Sequence, residues 1–95
     1  MNDGLDSLSD DELNTLFGVE VLRYACPLSE HQSKYIQWEQ PVVIRHLMQH
    51  TWERHRDGHV CVEHAGGAVW ACHKTNFIRA AVMALIRRSR ITNAK

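Results

Sequence analysis

Leu13, Leu16, Phe17, Val21 and Tyr24 recur at the spacing of one helical face. Ser9 and Glu12 just ahead of them form a capping box, in which each side chain satisfies a backbone donor of the other residue. Leu8 and Leu13 flank that cap as a hydrophobic staple, and Asp10 and Asp11 place negative charge at the positive end of the helix dipole. The pattern predicts a helix over residues 10–24. Gly18 inside it costs about 1 kcal/mol relative to alanine, and close approach of a neighbouring backbone would account for it.

Cys26-Pro27-Leu28 breaks the period. Residues 29–40 carry no clean pattern, although Ser29 with Gln32 could cap a short turn. Pro41 suits the first turn of a second helix, where its missing N–H is no loss. Val43, Ile44, Leu47, Met48, Thr51 and Trp52 then extend an apolar stripe to about residue 55, and Arg56-Asp57-Gly58 ends it. Two strand-like runs follow, residues 59–64 and 68–73, flanking Ala65-Gly66-Gly67. A two-residue turn centred on Gly66 and Gly67 would pair Glu63 with Trp70 and Cys61 with Cys72. Val60, Val62, Val69 and Ala71 then share one face. The other face carries Trp70 and both cysteines, so neither reads as fully solvated and cover on both sides is expected.

From Thr75 the pattern returns to a helix, with Ile78, Ala81, Val82 and Leu85 on one stripe and Phe77 and Ala84 beside it. Ala80, Ala81 and Ala84 allow close packing on a sheet, and Arg87, Arg88 and Arg90 crowd the end. These elements predict one α/β (α+β) domain over residues 1–95, with 1–8 and 91–95 frayed. Its expected architecture is an antiparallel hairpin packed with three helices in an α-β-α sandwich-like arrangement. A two-stranded sheet is marginal alone and its edges are open to pairing. Dimerisation through a sheet edge is therefore expected.

Composition sharpens this picture in one respect. The 95 residues are 44% apolar and 23% charged with a formal net charge of zero, which suits a globular domain. The charge is polarised, however. Residues 1–30 hold seven acids against Arg23, and residues 31–95 hold ten Lys and Arg against four acids, a balance of −6 against +6. Acidic helix starts and basic helix ends account for much of this, and the asymmetry could also steer a charged partner. No apolar run approaches the roughly 18 residues of a membrane span. The acidic start lacks signal-peptide order, and three irregularly spaced cysteines do not form a secreted disulfide framework. A cytoplasmic location in a bacterial host cell is expected.

Four groups of residues could carry chemistry. His46 and His50 stand four apart on the second predicted helix, the spacing of helical metal ligands, with His64 or His73 as further donors; His55 and His59 repeat the spacing across Gly58. There is no Cys-x-x-Cys pair and no His-Glu-x-x-His run, so surface or partly buried histidines are the plainer reading. Cys61 and Cys72 read as small apolar side chains under a helix more readily than as reactive thiols beside His73; Cys26 reads as a loop or core residue. Lys74, Arg79, Arg87, Arg88, Arg90 and Lys95 could form a phosphate-binding patch, although the chain lacks the high positive charge of most nucleic-acid modules. Among the aromatics, Trp52 and Trp70 read as core, with Tyr24 left open, and Tyr35 and Trp38 as candidates for a partner surface. No cofactor and no metal is expected.

Three short blocks carry a resemblance. Asp11-Glu12-Leu13-Asn14, continuing through Leu16, Val21 and Tyr24, resembles the opening helix of the phage ABA-sandwich family. Trp38-Glu39-Gln40-Pro41-Val42-Val43 resembles the segment leading into the second helix of NinX-type phage accessory proteins. Thr75-Asn76-Phe77-Ile78-Arg79-Ala80-Ala81 resembles their closing helix, from which this chain departs at Phe77 and in its richness in histidine. The resemblance implies a compact α/β sandwich of phage or prophage origin and transfers no catalytic residue. The function it implies is a non-enzymatic accessory protein that binds a host protein, for instance to inhibit a defence or regulatory factor. The alternative is a nucleic-acid-binding module built on the basic final helix. Tyr35, Trp38, Arg79, Arg87, Arg88 and Arg90 are the expected contact residues.

Overall fold

The structure, a computed structural model, describes residues 4–23, 34–37 and 40–93. Helix α1 (Asp10–Leu16) starts at the predicted capping box: Ser9 Oγ accepts from the Glu12 N–H, and the Glu12 carboxylate from the Ser9 N–H, each at 3.2 Å. The helix is shorter than its apolar spacing suggests. It widens into a π turn over Phe17–Val21, with Gly18 buried inside, and stops at Arg23, whose φ of 59° is a helix-ending conformation. Tyr24, Cys26, Trp38 and Lys95 lie outside the described residues. Ahead of α1, Leu5–Ser7 forms a 3-10 turn that buries Leu5 to 1% exposure.

Asn14 ties α1 to the turn at residues 34–37. Its buried amide accepts from the Ile36 N–H at 3.0 Å and donates to Gln37 Oε1 at 2.8 Å. That turn delivers Tyr35 into the core, 5.0 Å from the Phe17 ring. Helix α2 (Gln40–Leu47) carries Pro41 in its first turn as predicted, but ends a full two turns early. The last hydrogen bonds tighten to Gln49 N–H on His46 O and His50 N–H on Leu47 O, and the chain then extends. Thr51 and Trp52 fit a helical stripe by spacing alone. Both residue types favour strands, and here tertiary pairing decides.

The expected hairpin is therefore a three-stranded antiparallel sheet in the order β1-β2-β3, with β1 (Trp52–Arg54) pairing β2 (His59–His64) and β2 pairing β3 (Gly67–Cys72). Its register differs by two residues from the predicted one. Ala65 and Gly66 form the tip, Cys61 faces Trp70, and His59 faces Cys72. Gly67 takes φ 152°, open to glycine, and so becomes the first residue of β3 and not the last of the turn. A slip of two leaves Val60, Val62, Val69 and Ala71 on the same face, so the alternation pattern cannot detect it.

Helix α3 (Phe77–Asn93) organises the rest. Asn76 caps it by accepting from the Arg79 N–H at 3.0 Å. Ala80, Ala81, Val82, Met83, Ala84, Leu85 and Ile86 are all buried, so the helix is covered on every side and not along one stripe. It packs on β2 and β3 with one face and on α1, the π turn and α2 with the other. The layers run sheet, α3, then α1 with α2. The domain is α+β, as predicted, but the described helices stand on one side of the sheet, and among the described residues no element packs on its second face. No helix among the described residues is long and apolar enough to cross a membrane.

Candidate functional site

The contact residues expected from the sequence go to different places. Tyr35 is buried beside Phe17, and Trp38 lies outside the described residues. Three of the four arginines face the acidic start of the chain. Arg79 pairs with Asp10 and donates to the Leu8 carbonyl. Arg87, 6% exposed, donates to the Trp70 carbonyl at 2.7 Å and lies 3.4 Å from Asp6. Arg90 grips Glu20 with two bonds, at 2.8 and 3.0 Å. Arg88 instead donates to the Glu63 carbonyl at 2.9 Å. Part of the polarised charge of the sequence is thus paired inside the fold, by three ion pairs that join its two ends.

The Arg87 bond also bears on the sheet edge. His55 N–H bonds to His59 O and Glu63 N–H to Thr51 O, so odd residues of β2 face β1 and even ones face β3. The backbone groups of Ala68, Trp70 and Cys72 then point to the outer edge of β3. Arg87 occupies the middle one. An edge-to-edge dimer along β3 would have to displace it.

The histidines do not form a helical pair. His46 packs edge-on to Phe17 at 6.1 Å, while His50 falls beyond the end of α2. Partial burial, then the nearby charges of Arg88 and His46, hold the His50 pKa below 6.5. Among the described residues no three His, Cys, Asp or Glu side chains gather closely enough to hold a metal. Cys61 and Cys72 are free thiols. They lie on the open face of the sheet, not beneath the helix, and Cys61 is covered there. Burial raises its pKa, as do the neighbouring charges of Glu53 and Glu63, which favours the unreactive thiol.

Two surfaces remain that the sequence did not single out. The first centres on Trp70, expected in the core and found 48% exposed because its β3 position points away from α3. The His55 ring lies 5.2 Å from it and the His59 ring 6.2 Å, edge-on. Each imidazole is backed by a carboxylate: His55 by Glu53 at 3.5 Å and His59 by Asp57 at 2.9 Å. The hydrogen bonds from His59 hold the Asp57 carboxyl below its usual range. Cys61 sits between Glu53 and Trp70 in the sheet register. The result is an aromatic centre with an acidic rim of Glu53, Asp57 and Glu63.

The second is a cleft of about 330 Å³ where the β1–β2 turn meets the β3–α3 loop. Arg54, Arg56, Lys74, His55, His73 and Thr75 line it, with no acid among the lining residues. The two loops are joined by the His73 N–H bonding to Gly58 O at 3.1 Å. Gly58 has φ 98°, and a Cβ there would stand 2.7 Å from the His73 carbonyl oxygen. The Arg54 guanidinium lies 4.4 Å over the Phe77 ring, which itself stacks near Trp52. The run Arg54-His55-Arg56-Asp57-Gly58-His59 was the available signal: dense cations on a turn. The helical spacing before it carries the second helix on through Arg54 and His55 and so divides the run between a helix, its end and a strand. No family model, no curated protein and no solved structure matches the chain.

Proposed function

We propose that the protein acts by binding and not by catalysis, as a small accessory protein of the phage or prophage type that docks on a host protein through the open face of its sheet. The observation that carries this reading is Trp70, half exposed on the sheet face that the described helices leave uncovered, with the His55 and His59 rings beside its indole. Tryptophan is prominent among interface hot spots because it buries a large rigid surface at small entropic cost. The acidic rim of Glu53, Asp57 and Glu63 specifies the partner: a basic protein surface that lays an arginine or lysine over the indole. The three sequence blocks that resemble phage accessory proteins support the provenance.

Affinity capture from a bacterial lysate tests it. The wild-type chain should retain one dominant host protein, eluted by raised salt. Trp70→Ala should lose it, and Glu53→Lys should weaken it. Retention of the same proteins by all three chains, or of none by the wild type across several hosts, overturns the reading.

A further inference from the structure

We propose that the cleft between the β1–β2 turn and the β3–α3 loop is a binding site for the phosphoryl group of a small phosphomonoester. It is separate from the docking reading, which rests on the neighbouring sheet face.

Charge is the first argument. Arg54, Arg56 and Lys74 converge on one concavity, and among the described residues none of the three has a carboxylate partner. Gathering like charges is unfavourable unless an anion offsets their repulsion. The nearby carboxylates are otherwise engaged, Glu53 with His55 and Asp57 with His59. On α3, by contrast, Arg79, Arg87 and Arg90 are each met by a carboxylate, at Asp10, Asp6 and Glu20. Here three cations stand together.

Preorganisation is the second. The Gly58–His73 hydrogen bond and the tight approach of the Gly58 backbone lock the two cation-bearing loops in register. Stacking on Phe77 fixes Arg54, so less freedom is lost when it engages an anion. His73 Nδ1 accepts from the Asn76 N–H at 2.9 Å and the Thr75 N–H at 3.4 Å. The neutral ring therefore carries its proton on Nε2, as a further donor. Thr75 adds a hydroxyl, and the 17-residue helix α3 starts at Phe77 with the positive end of its dipole on the cleft wall. Guanidinium, ammonium, imidazole and hydroxyl donors around one concavity suit an oxyanion with three free oxygens.

Size is the third. About 330 Å³ lies at the low end of small-molecule sites, which run roughly 300–1,000 Å³. A phosphate leaves room to spare, and a sugar phosphate or mononucleotide uses that room.

Amide NMR at low ionic strength, with inorganic phosphate, ribose 5-phosphate, AMP and adenosine as separate probes, tests the proposal. The three phosphates should shift the amides of Gly58 and of residues 73–78 saturably at millimolar concentrations, and adenosine should not. The tightest of the three names the source of the phosphoryl group. Arg56→Ala and Lys74→Ala, both at exposed positions, should each weaken binding about tenfold, the scale of one charge-assisted hydrogen bond. Arg45→Ala, which removes the same charge from α2, should leave affinity unchanged. Shifts with adenosine alone, no saturable shift with any phosphate, or an equal loss in Arg45→Ala overturns the site.

Discussion

The arginines of α3 and the cations of the cleft are drawn from the same residue types and placed under opposite rules. Arg79, Arg87 and Arg90 each meet a carboxylate from the first twenty residues, so they act as clasps between chain segments 69 to 81 positions apart. Arg54, Arg56 and Lys74 come from the end of β1 and from two loops that hydrogen-bond each other, and among the described residues they meet no carboxylate. A count of basic residues cannot separate these cases. What separates them is whether the surrounding backbone brings an acid within reach.

The sharpest way to break the comparison is Arg87→Met. It keeps the aliphatic stem but leaves the Trp70 carbonyl without its charged donor, and a hydrogen bond of that kind is worth about 1.5–3 kcal/mol. Urea unfolding should show a loss of about 2 kcal/mol at unchanged m value, whereas Arg56→Met should stay within about 0.5 kcal/mol of wild type. Equal losses would erase the distinction between clasp and cleft.

Gly58→Ala attacks the other side. The added Cβ meets the His73 backbone and the residue must hold φ 98°, so about 1–3 kcal/mol should be lost. The amides of residues 73–76 should shift, while those around Glu20 and Arg90 stay in place. An unperturbed loop would show that the two loops are not locked together.

A double-mutant cycle on Glu20 and Arg90 sharpens the clasp itself. The pair is bidentate but part exposed, so its coupling should be about 0.5–1 kcal/mol and shrink with added salt. A coupling of zero would assign the end of α3 wholly to packing.

The smallest expected effect concerns Arg88, whose guanidinium meets the Glu63 carbonyl and no carboxylate among the described residues. Part of its field falls on His50, whose pKa is lowered first by burial and then by Arg88. The folded value lies below the unfolded one, so the neutral ring supports the fold above 6.5 and that support fades as pH falls below it. A titration of the His50 ring by NMR should give a midpoint below 6.5. Arg88→Gln should move it upward and Arg56→Gln should not.

Local signals in the chain carried the capping box, the proline start of α2, the inward face of the hairpin and the existence of α3, though not its extent to Asn93 or its burial on every side. Each depends on residues within a turn of one another. What failed depended on partners far away. Thr51 and Trp52 continue a helical stripe by spacing, and only pairing with β2 puts the Thr51 carbonyl on the Glu63 N–H and Trp52 in a strand. The strand register slipped by two because a period of two is blind to that shift. Trp70 looked like core because nothing in its neighbourhood says which sheet face α3 will cover. The arginines looked available because their carboxylates are roughly seventy residues or more away. The cleft escapes the sequence for the same reason as β1, since the helical stripe runs on through Arg54 and leaves Arg56 as no more than the residue that ends it.

Helix α3 is covered on all sides, by the sheet on one face and by α1, the π turn and α2 on the other. Among the described residues, the layers that precede it in the chain therefore meet chiefly through it. During synthesis, the first seventy residues would emerge with both apolar faces made and nothing to fill the gap between them. Productive burial would wait until the segment around Ala81 to Ile86 clears the ribosome. The last helix to be made is the one that completes the core.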